Sequence, residues 1–106
     1  MSVPVRIERI AELHADELAD WWRRNRRAAR PLKKLLEDAF KRIGDAPYVP
    51  AVFERIDAID VRRVAVTTTP YYAYYYVDET ANAAIVIAIW SAQRGRGPVL
   101  RPRRAR

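Results

Sequence analysis

The chain contains no cysteine and a single histidine, His14. Disulfides and thiolate metal sites are thereby excluded, a histidine-based metal centre is disfavoured, and a reducing compartment fits the composition. Only three glycines occur, and no Gly-rich nucleophile elbow surrounds Ser91, which argues against a serine hydrolase. Long apolar runs are also missing. The longest, residues 83–90, is far short of the roughly 20 residues a spanning helix needs. The first apolar residues alternate with charge, unlike a secretory leader, so the expectation is a cytoplasmic protein with no membrane association. Acidic pairs such as Asp57 with Asp60 read as connector charges, and neither a metal nor a cofactor is expected.

What is present is basic. The formal charge is +7 over 106 residues. Arg94, Arg96, Arg101, Arg103, Arg104 and Arg106 have no acidic residue among them, so the C-terminal end carries nearly the whole excess. Such a block is either a solvated end or a contact for a polyanion or acidic protein. A chain of this length forms one domain able to bury roughly 65% of its unfolded surface.

Val3, Val5 and Ile7 alternate with Pro4, Arg6 and Glu8, predicting a short first strand with one buried face. Over residues 12–24, Ala15, Leu18, Ala19 and Trp22 recur at helical spacing, with acids early and Arg23 and Arg24 late, as the helix dipole favours. Trp21 lies about 100° from Trp22, so one of the two rings is expected at the flank. His14 reads as a capping or surface residue. A second helix is expected over residues 27–43, with Pro31 in its first turn, Gly44 as its stop, and the outer pairs Glu37/Lys41 and Asp38/Arg42. Between the helices, Arg23, Arg24, Arg26, Arg27, Arg30, Lys33 and Lys34 form a basic elbow, either a solvated connection or a binding surface. Residues 45–60 contain Pro47 and Pro50 and no clear period. They read as a connector with a helical turn at 53–59. A strand follows at 61–66.

The aromatic and β-branched stretches 71–77 and 83–90, separated by polar residues 78–82, predict a hairpin. A three-residue loop of Thr80, Ala81 and Asn82, with Asn82 left-handed, sets the register. Val77, Tyr75 and Ala73 then lie opposite Ile85, Ile87 and Ile89 on a core face. Tyr76, Tyr74 and Tyr72 lie opposite Val86, Ala88 and Trp90 on the other, which faces water or a partner. The expected fold is α+β, in the order β-α-α-β-β-β, with a helical hairpin packed on one face of a small antiparallel sheet.

The segments DWWRRNRRAARPL, VRRVAV, PYYAYYYVD and IAIWSAQRGRGP, in that order and at matching separations, closely resemble the RelE/ParE superfamily of bacterial type II toxins, in particular its ParE-like plasmid-stabilisation branch. The resemblance spans about residues 3–100. It implies a toxin domain at 1–98 followed by a basic tail at 99–106, a co-expressed antitoxin that wraps over the toxin, and oligomers formed through that complex. Two activities occur on this fold: poisoning of DNA gyrase, and ribosome-dependent cleavage of messenger RNA.

RelE-like nucleases place basic residues on the open face of the sheet and a Tyr or His near the C-terminus. The sequence keeps Arg63 and Arg94. It departs from the pattern at Ala65 and Tyr72, where basic side chains are expected, at Ser91 in place of a histidine, at Tyr76 in place of an arginine, and at Val99 and Leu100 in place of the C-terminal aromatic. If the chain were a nuclease, Arg63, Arg94 and Tyr72 would carry the chemistry, yet arginine stays protonated and is a poor general base.

The favoured expectation is therefore a gyrase-binding toxin with no catalytic residues. Its partner contacts are expected at Arg63, Tyr72, Tyr74, Tyr76, Trp90, Arg94, Arg96 and Trp21, residue types enriched at binding hot spots. The alternatives are the messenger RNA endonuclease and a non-toxic basic nucleic-acid-binding module.

Overall fold

The computed structural model describes residues 2–25 and 31–103. The elements are β1 (Val5–Ile7), α1 (Arg9–Arg24), α2 (Leu32–Asp45), β2 (Val52–Ile56), β3 (Ile59–Ala65), β4 (Tyr71–Asp78) and β5 (Ala83–Ser91). The strands form one sheet in the order β1-β5-β4-β3-β2, with β1 parallel to β5 and every other pair antiparallel. The architecture is the expected α+β arrangement with one strand more than the sequence predicted.

The extra strand is β2, in the segment read as a connector. It turns into β3 through Asp57 and Ala58, both at positive φ (50° and 65°), and Ile56 pairs with Ile59 across them. Two consecutive left-handed residues make the tight turn whose twist matches a hairpin. The usual glycine is replaced by Ala58, so the turn carried no sequence signal.

Both helices lie on one face of the sheet. Ala11 and Leu18 of α1 and Leu35, Ala39 and Ile43 of α2 are buried against Val64, Ala73, Tyr75, Ala84, Val86 and Ile89. Trp21 and Trp22 are both half-buried against this core, rather than one packed and one flanking. The first helix begins at Arg9, three residues before the expected start. The second starts at Leu32 with Pro31 as its N-cap residue. The expected opening of that helix at Arg27, and Arg26, Arg27 and Arg30 of the basic elbow, lie outside the described residues.

Gly44 sits inside α2 rather than stopping it. There the helix meets the chain just before β1: the Val3 N–H donates to the Gly44 carbonyl at 2.9 Å, and a Cβ at Gly44 would stand 2.8 Å from the Val3 oxygen. The glycine is required by close approach. The outer ion pairs differ in register from expectation, with Lys41 on Asp45 (2.6 Å) and Lys34 near Glu37 (3.8 Å).

The β4–β5 hairpin keeps half of its predicted register. Tyr72 faces Trp90, Ala73 faces Ile89 and Tyr74 faces Ala88, as expected. Nearer the turn the pairs are Tyr75–Val86, Tyr76–Ile85 and Val77–Ala84, one residue away from prediction. The loop has four residues, 79–82, because the Asp78 carboxylate accepts the Ala81 N–H at 3.1 Å and ends the pairing at Asp78–Ala83. Asn82 is left-handed as predicted, at φ 51°. A bulge between Tyr74 and Tyr75 absorbs the extra residue, and since side chains alternate with a period of two, it exchanges faces. Ala84 and Val86 point to the helices, while Ile85 and Ile87 join the tyrosines on the other side.

That other side is a second apolar layer: Val61, Tyr74, Tyr76, Ile85, Ile87 and Ala88, with Tyr72, Trp90 and Leu100 packed against it. It was expected to face water or a partner, but Tyr74 and Tyr76 are 2% and 4% exposed. The chain beyond β5 crosses over this layer. Pro98, Leu100 and Pro102 are half-buried, and Val99, Arg101 and Arg103 between them are exposed. Among the described residues no helix is long and apolar enough to cross a membrane.

Candidate interaction face

At the end of the sheet where β5 finishes, four adjacent strands each contribute one side chain to a row. Phe53 from β2, Arg63 from β3, Tyr72 from β4 and Trp90 from β5 lie side by side, and Arg94 follows just after β5. Pairing fixes their alignment: Ala65 lies opposite Tyr72, Arg63 opposite Tyr74, and Tyr72 opposite Trp90. The Arg63 guanidinium stands 4.1 Å from the Tyr72 ring centroid and 4.6 Å from that of Phe53, and donates to the Tyr74 hydroxyl at 3.2 Å. Arg94 stands 4.1 Å over the Trp90 ring and is ion-paired with Glu17 of α1. Each guanidinium thus lies against ring faces, Arg63 on those of Phe53 and Tyr72 and Arg94 on that of Trp90, an attraction worth about 0.5–1 kcal/mol per contact at exposed sites.

His14 closes the row from below. It is buried, neither cap nor surface residue, because it shares the apolar stripe of α1 with Ala11 and Leu18. Its Nδ1 accepts the Ile89 N–H at 3.2 Å, beyond the end of the short strand β1, where β5 has no neighbour to take that proton. Its ring meets Trp90 edge-on at 5.2 Å. Burial pushes the imidazole below its ordinary value, Glu17 partly reverses this, and Arg94 adds to the lowering. A neutral His14 therefore holds β5, and through it Trp90, in place. The helical spacing 11, 14, 18 was the signal that could have identified this role.

The sequence-derived residues divide into groups. Arg63, Tyr72, Trp90 and Arg94 come together in the row, half-buried and accessible from one side. Arg96 joins them through its carbonyl, which accepts the Trp90 indole N–H at 2.9 Å. Tyr74 lies under Arg63. Tyr76 lies farther along β4, with its pKa raised chiefly by burial and the nearby Arg103 backbone partly offsetting this. Trp21 is apart from the rest, on the helix side, edge-on to Tyr71 at 6.1 Å. Phe53, 41% exposed, belongs to the row but was missed, because its strand was read as a connector.

A second cluster steadies the neighbouring loop. Arg62 donates to the carbonyls of Tyr48 and Pro50, and the Tyr75 hydroxyl donates to the Pro47 carbonyl at 2.7 Å. Burial raises the Tyr75 pKa to about 12. Tyr75 is thus structural. Among the described residues no group of three or more His, Asp or Glu side chains is placed to hold a metal.

Chemically, the row offers two permanently charged guanidiniums on aromatic surfaces, and the His14 nitrogen that could accept a proton is already engaged by a backbone N–H. Such a surface suits the recognition of planar or anionic groups.

No curated protein matches the chain. Residues 5–95 match the family described as the ParE toxin of the type II toxin-antitoxin system parDE. That span takes in every strand and both helices, and the chain belongs to this family.

Proposed function

We propose that the chain is a cytoplasmic toxin that acts by binding DNA gyrase and is neutralised by a cognate antitoxin, with residues 1–98 as the toxin domain and oligomers arising through the antitoxin complex. The observation that carries this reading is the row of Phe53, Arg63, Tyr72, Trp90 and Arg94, whose guanidiniums are held against rings rather than beside a free general base. Aromatic rings and arginines in a half-buried setting are the usual anchors of protein recognition. Tyr74 supports the row from beneath, Tyr76 extends the same face farther along β4, Arg96 braces Trp90, and Trp21 serves as a separate contact on the helix side. Membership of a type II toxin-antitoxin family supports an antitoxin as one partner, and the resemblance to ParE-like toxins is what motivates gyrase as the other.

One observation favours the nuclease alternative: Arg63 stacks directly on Tyr72, so a cation and a phenol meet on the sheet. Expression without antitoxin separates the readings. Filamentation with induction of the DNA-damage response is the expected outcome, together with gyrase-dependent DNA breaks in a purified assay. Immediate translation arrest with cut messages would replace gyrase by the ribosome as target, and the absence of any growth defect would overturn both. Arg63→Ala combined with Trp90→Ala should reduce the effect at least tenfold while the protein stays folded.

A further inference from the structure

We propose that Glu17 determines the specificity of the row: its carboxylate holds the Arg94 guanidinium on Trp90 and cancels its charge, so that the surface accepts a protein partner and rejects a single-stranded nucleic acid. Rings and arginines alone suit both. Single strands are held by bases stacked on ring faces while cations follow the phosphates, and a formal charge of +7 draws such a strand towards the chain. The two arginines of the row differ in their counter-charge. Arg94 stands 4.1 Å over the Trp90 ring and is ion-paired with Glu17, the two side chains being 32% and 49% exposed. Arg63 is held by the rings of Phe53 and Tyr72 and by the Tyr74 hydroxyl, and among the described residues no acidic side chain pairs with it.

The helix that steadies Trp90 also places Glu17. On α1 it stands one turn after His14, whose Nδ1 accepts the Ile89 N–H at 3.2 Å and whose ring meets Trp90 edge-on. The Arg94 backbone is fixed separately: its N–H donates to the Ser91 carbonyl at 3.3 Å, and the Ala92 N–H donates to the Pro70 carbonyl at 2.8 Å. Arg94 therefore lies between a helix and a turn that are both tied to β5, with the Glu17 carboxylate on it. A phosphate approaching Arg94 meets an anion already in place, and like charges oppose each other there. Neutral side chains of a protein reach Trp90 and Tyr72 without that opposition, and a single carboxylate still finds Arg63 uncompensated. Glu17 is thus the repulsive element that specificity requires beside the attractive ones. The inference rests on the reading of this chain as acting by binding, and it names the class of ligand the row excludes.

The test uses the full chain and an oligothymidylate of about 12 nucleotides, with neither gyrase nor antitoxin present, so its failure is distinct from failure of the toxin reading. Glu17→Gln keeps a hydrogen-bonding group beside Arg94 and removes the charge. The oligonucleotide should bind this variant about five- to tenfold more tightly than the native chain at about 50 mM salt, and the slope of log affinity against log salt should steepen by about 0.7, the value of one further single-strand phosphate contact. The Trp90 indole N–H resonance, assigned with Trp90→Phe, should shift on binding to the variant and stay in place with the native chain. Glu12→Gln removes the same charge from an exposed pair with Arg9 on the same helix and should leave affinity within about twofold of native. Combining Glu17→Gln with Arg94→Ala should abolish the gain, and Glu17→Ala should reproduce it if the glutamine variant fails to fold. Unchanged affinity and slope on removal of Glu17, an equal gain from Glu12→Gln, or a gain during which the Trp90 resonance does not move would overturn the proposal.

Discussion

The two faces of the sheet are both covered, but by different means. On one side, two amphipathic helices lay Ala11, Leu18, Leu35, Ala39 and Ile43 over the sheet, and every one of these side chains is essentially inaccessible. On the other, eight residues without regular structure cover tyrosines and isoleucines using three half-buried side chains. The first cover is part of the fold, since burying a single leucine contributes about 2 kcal/mol and several are buried together. The second adds little to stability and leaves Phe53, Arg63, Tyr72 and Trp90 reachable along its margin. A chain built this way can separate folding from recognition, assigning each to one face.

The comparison can be broken most forcefully at Leu18. Leu18→Ala should cost about 2–5 kcal/mol, read from urea denaturation, because it leaves a cavity where helix meets sheet. If an equally large loss followed Leu100→Ala, the two covers would be energetically alike and the distinction would fail.

Gly44→Ala should cost about 1–3 kcal/mol, as the added methyl must push the Val3 carbonyl away. Faster amide exchange at Val3 would locate the damage at the junction of α2 and the chain leading into β1. His14→Leu should cost a similar 1–3 kcal/mol by leaving the Ile89 N–H without an acceptor.

His14 also predicts a pH dependence. The unfolded imidazole titrates near 6.5 and the folded one lower, so below about pH 6.5 the unfolded chain takes up a proton that the folded chain resists. Stability should fall as the pH drops from about 6.5 to the folded value and be insensitive to this group above it. Denaturation midpoints between pH 7.5 and 5 measure this, and His14→Leu should remove that part of the slope.

The smallest stability effect belongs to the recognition face. Arg63→Ala should cost no more than about 1 kcal/mol while reducing partner affinity by far more, and Arg63→Lys should restore stability better than affinity, because a lysine ammonium cannot spread between two rings as a guanidinium does. Equal losses in both measurements would merge the two faces again.

Much of this arrangement was legible from residues alone. The strict alternation of tyrosines assigned Tyr72, Tyr74 and Tyr76 to one side and Ala73 and Tyr75 to the other, and the helical stripes identified Leu18, Leu35 and Ile43. What escaped was whatever depended on backbone detail. The bulge beside Tyr74 changed the sides of Ile85 and Val86, and no side-chain pattern announces an extra residue in a ladder. Strand β2 escaped because Ala58 takes a conformation that glycine normally signals. The covering segment beyond β5 escaped because alternation in a proline-rich, arginine-rich tail resembles a solvated end until the surface it covers is known.

The two margins of the sheet have a further consequence. An unpaired strand edge is a template on which a second chain can grow, and proteins with long flat edges tend to aggregate. Here one margin, β1, is three residues long and begins just after Pro4, and the other, β2, is interrupted by an irregularity at Phe53 and carries Glu54 and Arg55. Neither offers a long, even run of free main chain. The sheet is thereby protected against stacking edge to edge with its own copies, even at high local concentration.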